Sequence, residues 1–281
     1  MVEHNDIPKA PASRPDLAET WALVGELEQS SDANYRHHAQ RIREFVAAFP
    51  SIGLAELAEI HRFIDAEMKQ LETKQNTMLY GGLTAAVIAA RLGLPKMVWN
   101  EYAEKLLVRS LIETPLADGL NLSGRLWRIH AGAARDMKSV VDVAVQRGWS
   151  AEKAVQHAME ITPELRQALA DAGSEAVAKR LEAGLLHDSN NARMKFRRVL
   201  RTEINRAHGE RYKQLVREDE EAVGLRFCLS PRHPRKDICD THASADLYGL
   251  GAGVYPVDAC PWPAHPNTFS YVEVVYSDEG F

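Results

Sequence analysis

The chain has few cysteines, few prolines through its middle, and no apolar run long enough to cross a bilayer. Its 281 residues hold three cysteines, Cys228, Cys239 and Cys260, all in the last quarter. An odd count with no apolar leader argues against a secreted disulfide scaffold. Thiols clustered beside histidines suit a metal site, or reduced thiols in a cytosolic protein. The N-terminal stretch MVEHNDIPKAPASRP lacks the hydrophobic centre of a secretory signal. The most apolar segment, Leu83 to Ala90, is far too short to span a membrane and runs directly into Arg91. A net charge of -5 argues against a protein coated in nucleic acid, although it leaves room for a local basic face. Internal repeats, low-complexity tracts and phosphate-cradling loops are also missing. So is the H-x-E followed by P-C-x-x-C pattern of zinc deaminases. These absences, with 45% apolar and 26% charged residues, describe a soluble intracellular protein of one large domain or two modest ones.

What is present is helical periodicity. Pro8, Pro11 and Pro15 mark residues 1–15 as a flexible arm. From Asp16 to about Glu218 the pattern is helical, with glycine and proline mainly where a helix should stop. Leu122, Leu126, Ile129, Ala133, Met137, Val140 and Ala144 recur at steps of three and four. That spacing predicts one long helix with a single apolar stripe, capped by Ser123 and ended by Gly148. Ser150 should cap a following helix that carries Ala154, Val155 and Ala158. A second long helix is expected from Asn191 to Glu218, with Phe196, Leu200, Ile204, Ala207 and Leu215 on one side. Gly224 then breaks the helical texture. The β-branched and aromatic run Tyr271 to Tyr276 predicts a terminal strand, and the surroundings of Phe227 suit a second. The fold class expected is mainly α, a long-helix body followed by a small Pro/Gly-rich α+β module.

Three features carry chemistry. The first is the histidine–cysteine cluster after residue 224. Cys239, His242, Cys260 and His265 form two pairs at usable spacing for tetrahedral zinc, and the glycine-rich loop from Tyr248 to Gly253 could close the site. The competing reading is a loop-rich subdomain in which cysteine packs as a small hydrophobe. The missing C-x2-C knuckles favour that reading, so no cofactor is expected, with zinc as the one candidate. The second feature is the aspartates of the same stretch: Asp237, Asp240, Asp246 and Asp258. An Asp240–His242 acid–base pair is conceivable, but turn chemistry accounts for such residues better. The third is the run from Arg193 to Arg217, with nine Lys or Arg against the two acids Glu203 and Glu210. Arg193, Arg197, Arg198, Arg201 and Arg206 are candidates for binding DNA or an acidic partner. Arg197 and Arg201 should repel one another, Arg206 and Glu210 should attract, and the acidic run from Glu218 to Glu221 is one partner for the positive face.

The order of the motifs supplies a further reading. Asn121-Leu122-Ser123-Gly124-Arg125-Leu126-Trp127 opens a long helix, and Gly148-Trp149-Ser150 breaks it. Arg201-Thr202-Glu203 and Ala207 lie on the next. Leu229-Ser230-Pro231-Arg232-His233-Pro234, Asp237-Ile238-Cys239-Asp240, Tyr248-Gly249-Leu250-Gly251, Gly253-Val254-Tyr255-Pro256 and Pro263-Ala264-His265-Pro266 follow. Over residues 120–275 this resembles the phage head-morphogenesis family, the Mu F-like minor head or minor capsid proteins. The resemblance implies a minor structural protein of a bacteriophage head, not an enzyme. Its expected place is inside the virion near the portal, after assembly in the host cytoplasm with no membrane involved. Its implied partners are the portal protein, major capsid or scaffold proteins, and packaged double-stranded DNA. The implied layout is a flexible arm (1–15), a helical region suited to portal or capsid docking (16–118), and a head-morphogenesis domain (119–281) ending in a His/Cys-rich module (224–281). The family's terminal H-P-x-C-x-C reads here His265-Pro266-Asn267-Thr268-Phe269-Ser270, with hydroxyls in place of both cysteines. Hydroxyls are poor zinc ligands beside thiolate or imidazole. The alternative function is a metal-dependent hydrolase or toxin that uses the C-terminal His/Cys/Asp cluster.

Overall fold

The structure, a computed structural model, describes residues 7–49, 52, 54–97, 100–116, 118–146, 174–186, 191–233 and 236–277. Among the described residues helix takes 68% and strand 7%, a mainly α structure with a small antiparallel sheet near the C-terminus, as the sequence pattern predicts. Seven helices are seen among the described residues: α1 (Pro15–Ala47), α2 (Leu54–Ala89), α3 (Glu101–Glu113), α4 (Leu122–Gln146), α5 (Ser174–Leu186), α6 (Ala192–Arg217) and α7 (Ile238–Ser244). Three strands complete the set: β1 (Ala222–Cys228), β2 (Val254–Tyr255) and β3 (Tyr271–Tyr276). No described helix is long and apolar enough to cross a membrane.

Local chemistry explains most helix starts. Asn100, Asn121 and Asn191 accept hydrogen bonds from the amides of Ala103, Gly124 and Met194, at 3.1, 2.9 and 2.8 Å. Each side chain thereby satisfies one of the donors that a helix leaves open at its first turn. The cap of α4 is therefore Asn121 and not Ser123. The buried seam of α4 also differs from the expected stripe: it runs through Leu122, Leu126, His130, Ala134, Met137 and Val141, while Ile129, Ala133 and Val140 are only half-buried. The seam turns because His130 can enter it. Its Nδ1 bonds the Leu126 carbonyl at 2.8 Å and its ring stacks on Tyr35. The expected stop at Gly148 and the helix after Ser150 lie outside the described residues. Helix α6 ends at Arg217, earlier than Gly224. Gly224 instead sits in β1, where a Cβ would meet the Tyr255 carbonyl oxygen at 2.5 Å.

The chain forms two compact units, each assembled from separated segments. One draws on residues 1–28, 78–116 and 198–281, and the other on 29–77 and 117–197. In the first unit the sheet order is β2-β1-β3, all antiparallel. Leu225 and Phe227 of β1 point into a core that contains Ala90, Leu94, Tyr212, Leu215, Tyr255, Trp262 and Val272, while Arg226 between them faces water. The period-two alternation of the strand produces this. The second unit has its own core, with Tyr35, Ile42, Ile60, Ile64, Leu71, Met137 and Phe196 buried. There Phe45 stacks on Phe63, and His38 bonds Glu67 at 2.7 Å.

The segment read as a flexible arm is anchored at Arg14, which is 5% exposed. Its guanidinium grips both oxygens of Asp16, reaches the Val272 carbonyl and lies over the Tyr212 ring. His208 of α6 bonds the same Asp16 carboxylate at 2.9 Å. Burial alone would raise the Asp16 carboxyl, but the bonds and charges of His208 and Arg14 outweigh it and hold the group well below its usual range. Asp16 therefore adds stability above the ordinary carboxylate range, and loses it as pH falls through its lowered folded value.

Burial also pushes the imidazoles of His208, His130 and His38 below their ordinary value, more than their hydrogen bonds raise them. The unfolded chain then takes up protons below about pH 6.5 that the folded chain refuses, so stability falls as pH drops through that point. We expect the melting temperature to decrease between pH 7 and pH 5, with each histidine contributing up to about 1.4 kcal/mol per pH unit. Thermal melts across that range check this. A flat profile, or one unchanged by His208→Gln, contradicts it.

Candidate functional site

The site is built around the start of α7. After β1, Ser230 turns the chain by accepting from the His233 amide at 3.0 Å through its carbonyl and from the Arg232 amide at 3.3 Å through its hydroxyl. Asp237 then caps α7, taking the Cys239 amide at 2.7 Å, and Asp240 reaches back to the Asp237 amide at 2.8 Å. This reciprocal capping box places both carboxylates and the Cys239 thiol at one end of the helix. The chain passes this end again on its way from Trp262 to β3, bringing His265, Thr268 and Ser270.

The resulting geometry is close. His265 Nε2 lies 3.3 Å from Asp237 Oδ2. His233 Nε2 lies 2.9 Å from Asp240 Oδ2 and 3.6 Å from Asp237 Oδ1. The Cys239 sulfur sits 3.8 Å from the Thr268 hydroxyl, with the Ser270 hydroxyl also beside it. Two overlapping sets have ligand atoms all within 4.8 Å of one another: Asp237, Cys239 and His265, and His233, Asp237 and Asp240. Burial pushes the Cys239 thiol up, against the hydroxyls of Ser270 and Thr268. Burial also tends to raise Asp237, but the Cys239 amide and thiol and the charges of His265 and His233 lower it overall. Asp240 is lowered first by the Asp237 amide, and then by His233.

Of the four ligands expected from sequence, only Cys239 and His265 meet. His242 points elsewhere: its ring lies against Phe227 and its carbonyl accepts from the Tyr255 hydroxyl at 2.9 Å. Cys260 is a core residue, packed with Trp262 and Tyr255, and burial pushes its thiol up to about 11. The acid–base partner of Asp240 is His233, not His242. Spacing noted Asp237 and His233 but left both out of the expected ligand set, yet the signal was present. Asp237-x-x-Asp240 before a short helix is a capping box, and a capping box brings its two carboxylates to one end. The aspartates do serve the turn chemistry expected of them, and they also face the histidines.

The basic helix α6 presents a different picture from a solvated cationic face. Arg197, Arg201 and Arg211 are buried, and Arg201 is held on both nitrogens by Glu28 of α1. Arg193 pairs with Asp32 at 3.1 Å. Arg206 pairs with Glu203, not Glu210, and also reaches the Leu111 carbonyl. The neutralising acids come from α1, from α6 itself, from Glu104 of α3 beside Arg211, and from Asp258, which pairs with Arg217; in the acidic run that follows α6, Asp219 accepts from the Tyr276 hydroxyl. Lys195, Arg198 and Arg217 are the exposed cations of this helix. All five residues of the expected apolar side (Phe196, Leu200, Ile204, Ala207 and Leu215) are buried.

Two motifs far apart in sequence also meet. The Thr202 hydroxyl in Arg201-Thr202-Glu203 accepts from the Asn267 amide at 2.9 Å, just after His265-Pro266. Asn205 donates to the Thr268 carbonyl at 3.1 Å, and the Arg201 guanidinium lies 5.5 Å from the centre of the Phe269 ring. Comparison with protein-family models, curated proteins and solved structures finds no match to this chain.

Proposed function

We propose that this chain is a minor structural protein of a bacteriophage head, acting in head assembly near the portal. The observation that carries this reading is the Thr202–Asn267 contact. The Arg-Thr-Glu helix and the His-Pro-Asn loop are two of the separated motifs in the ordered series that carries the resemblance to minor head proteins, and they form one joint. A set of motifs that serves a single folded module is what a shared architecture would produce. The Asp237–Asp240 capping box serves the same module. So does Gly253, whose φ of +72° and close approach to the Ala243 carbonyl exclude other residues.

A docking role has support of its own. Between α2 and α3 lies a groove of about 480 Å³ whose walls include Val87, Ile88, Val108 and Ile112. Ile88, Tyr102 and Leu106 nearby are exposed. An apolar groove on a helical surface suits the apolar face of a partner helix, and the portal protein is the partner this reading names.

Purification of heads and portal complexes from infected cells is the direct test. The protein is expected in both, and its absence from particles would end the proposal. Ile88→Glu should weaken recovery with portal at least tenfold, while changing stability by no more than about 0.5 kcal/mol, because the side chain is already exposed. Unchanged recovery would remove the groove from the interface.

A further inference from the structure

We infer that Asp237, Cys239 and His265 bind a zinc-class divalent transition ion, with the fourth position open to water. This goes beyond the role in head assembly and stands or falls without it.

The ligand chemistry comes first. Thiolate, imidazole and carboxylate form a donor set that zinc accepts, and three protein ligands plus water complete a tetrahedron. The three donor atoms lie within 4.8 Å of one another. Two ligands bound about 2.1 Å from an ion at a tetrahedral angle stand about 3.4 Å apart. Asp237 Oδ2 and His265 Nε2 are separated by 3.3 Å.

The tautomer of His265 sharpens the case. Its Nδ1 lies 2.9 Å from the Pro266 carbonyl, which can only accept, so that nitrogen carries a proton. In the neutral ring Nε2 then bears a lone pair, and that lone pair faces the Asp237 carboxylate. Nε2 is buried and has no hydrogen-bond partner. Two acceptors facing at this distance repel unless a cation lies between them, or unless the ring itself becomes the cation. A backbone carbonyl fixing the far nitrogen of a ligating histidine is a common outer-shell arrangement in metal sites.

The surroundings fit as well. Asp237 Oδ1 is held by the Cys239 amide, which leaves Oδ2 to the ion. His233, bonded to Asp240, lies 3.6 Å from Oδ1 and steadies the carboxylate from outside. His265 and Asp237 are both about one-third exposed, so water can reach the fourth position. Binding replaces the Cys239 S–H bond with a sulfur–metal bond, and the proton leaves to solvent.

The test uses the purified full chain, stripped with chelator and titrated with Co²⁺, followed by competition with Zn²⁺. One equivalent of Co²⁺ should produce a near-ultraviolet thiolate charge-transfer band that Zn²⁺ removes. His265→Gln should raise the dissociation constant at least about 100-fold, because even outer-shell changes cost 10–100-fold. Cys239→Ser should abolish the charge-transfer band. His242→Gln and Cys260→Ser should leave both band and affinity unchanged. If Cys239→Ser does not fold, the half-buried His265→Gln decides the matter. The inference is overturned if the wild type gives no thiolate band, or if His265→Gln binds as tightly as wild type. It is also overturned if the band depends on Cys260.

Discussion

Gly209→Ala should destabilise the protein by about 2–4 kcal/mol, although alanine is the better helix former by about 1 kcal/mol. Gly209 lies within α6, where a Cβ would meet the Trp262 ring at 1.8 and 2.1 Å. Small shifts cannot relieve such an overlap. Trp262 is 5% exposed, and its indole N–H is bonded to the Ser270 carbonyl at 2.8 Å. The ring must leave its seat, and losing a buried tryptophan costs about 3–5 kcal/mol. The sign should reverse once the ring is gone: on a Trp262→Ala background, Gly209→Ala should stabilise by about 1 kcal/mol. Urea denaturation of the four proteins measures both effects. A Gly209→Ala variant as stable as wild type would show that Trp262 does not sit against α6.

Arg201→Met should cost about 3–5 kcal/mol, far more than a surface ion pair, because it strips the guanidinium from a carboxylate buried in the core. Glu28 is 1% exposed and Arg201 6%, and two hydrogen bonds join them. Removing both charges together, as Glu28→Gln with Arg201→Met, should recover much of that loss, because no lone charge is then left in the core. A double-mutant cycle by chemical denaturation reads the coupling directly. A single-variant cost under about 0.5 kcal/mol would place the pair in solvent instead. The result also governs how any DNA-binding experiment is read. Charge reversal at Arg197 or Arg201 would unsettle the core, so contact with DNA is better probed by changing the exposed Lys195 and Arg198.

Helix α6 shows how far the sequence could be read. Its length and its apolar side were legible, because these depend on neighbours within four residues. Its burial was not. Nine cations predict a solvated face unless the acids that meet them are known, and two of those acids, Glu28 and Asp32, lie more than 150 residues earlier in the chain. The proposed metal-ligand set divided in the same way. Cys239 and His265 were legible as residue types that bind metal. The choice of Asp237 over His242 and Cys260 depended on which side chains the returning loop passes, and no spacing rule contains that.

By itself, then, the sequence determined a mainly helical chain with a terminal strand at Tyr271–Tyr276, and a Pro/Gly-rich end carrying Asp, His and Cys. Periodicity and capping are short-range, so they are written locally. The tertiary structure alone decided which charges are neutralised inside, how two units are assembled from separated segments, and that Cys239 and His265 share Asp237. Those outcomes depend on long-range electrostatics and packing, where the cost of burying a charge is set by whichever distant partner the fold brings to it.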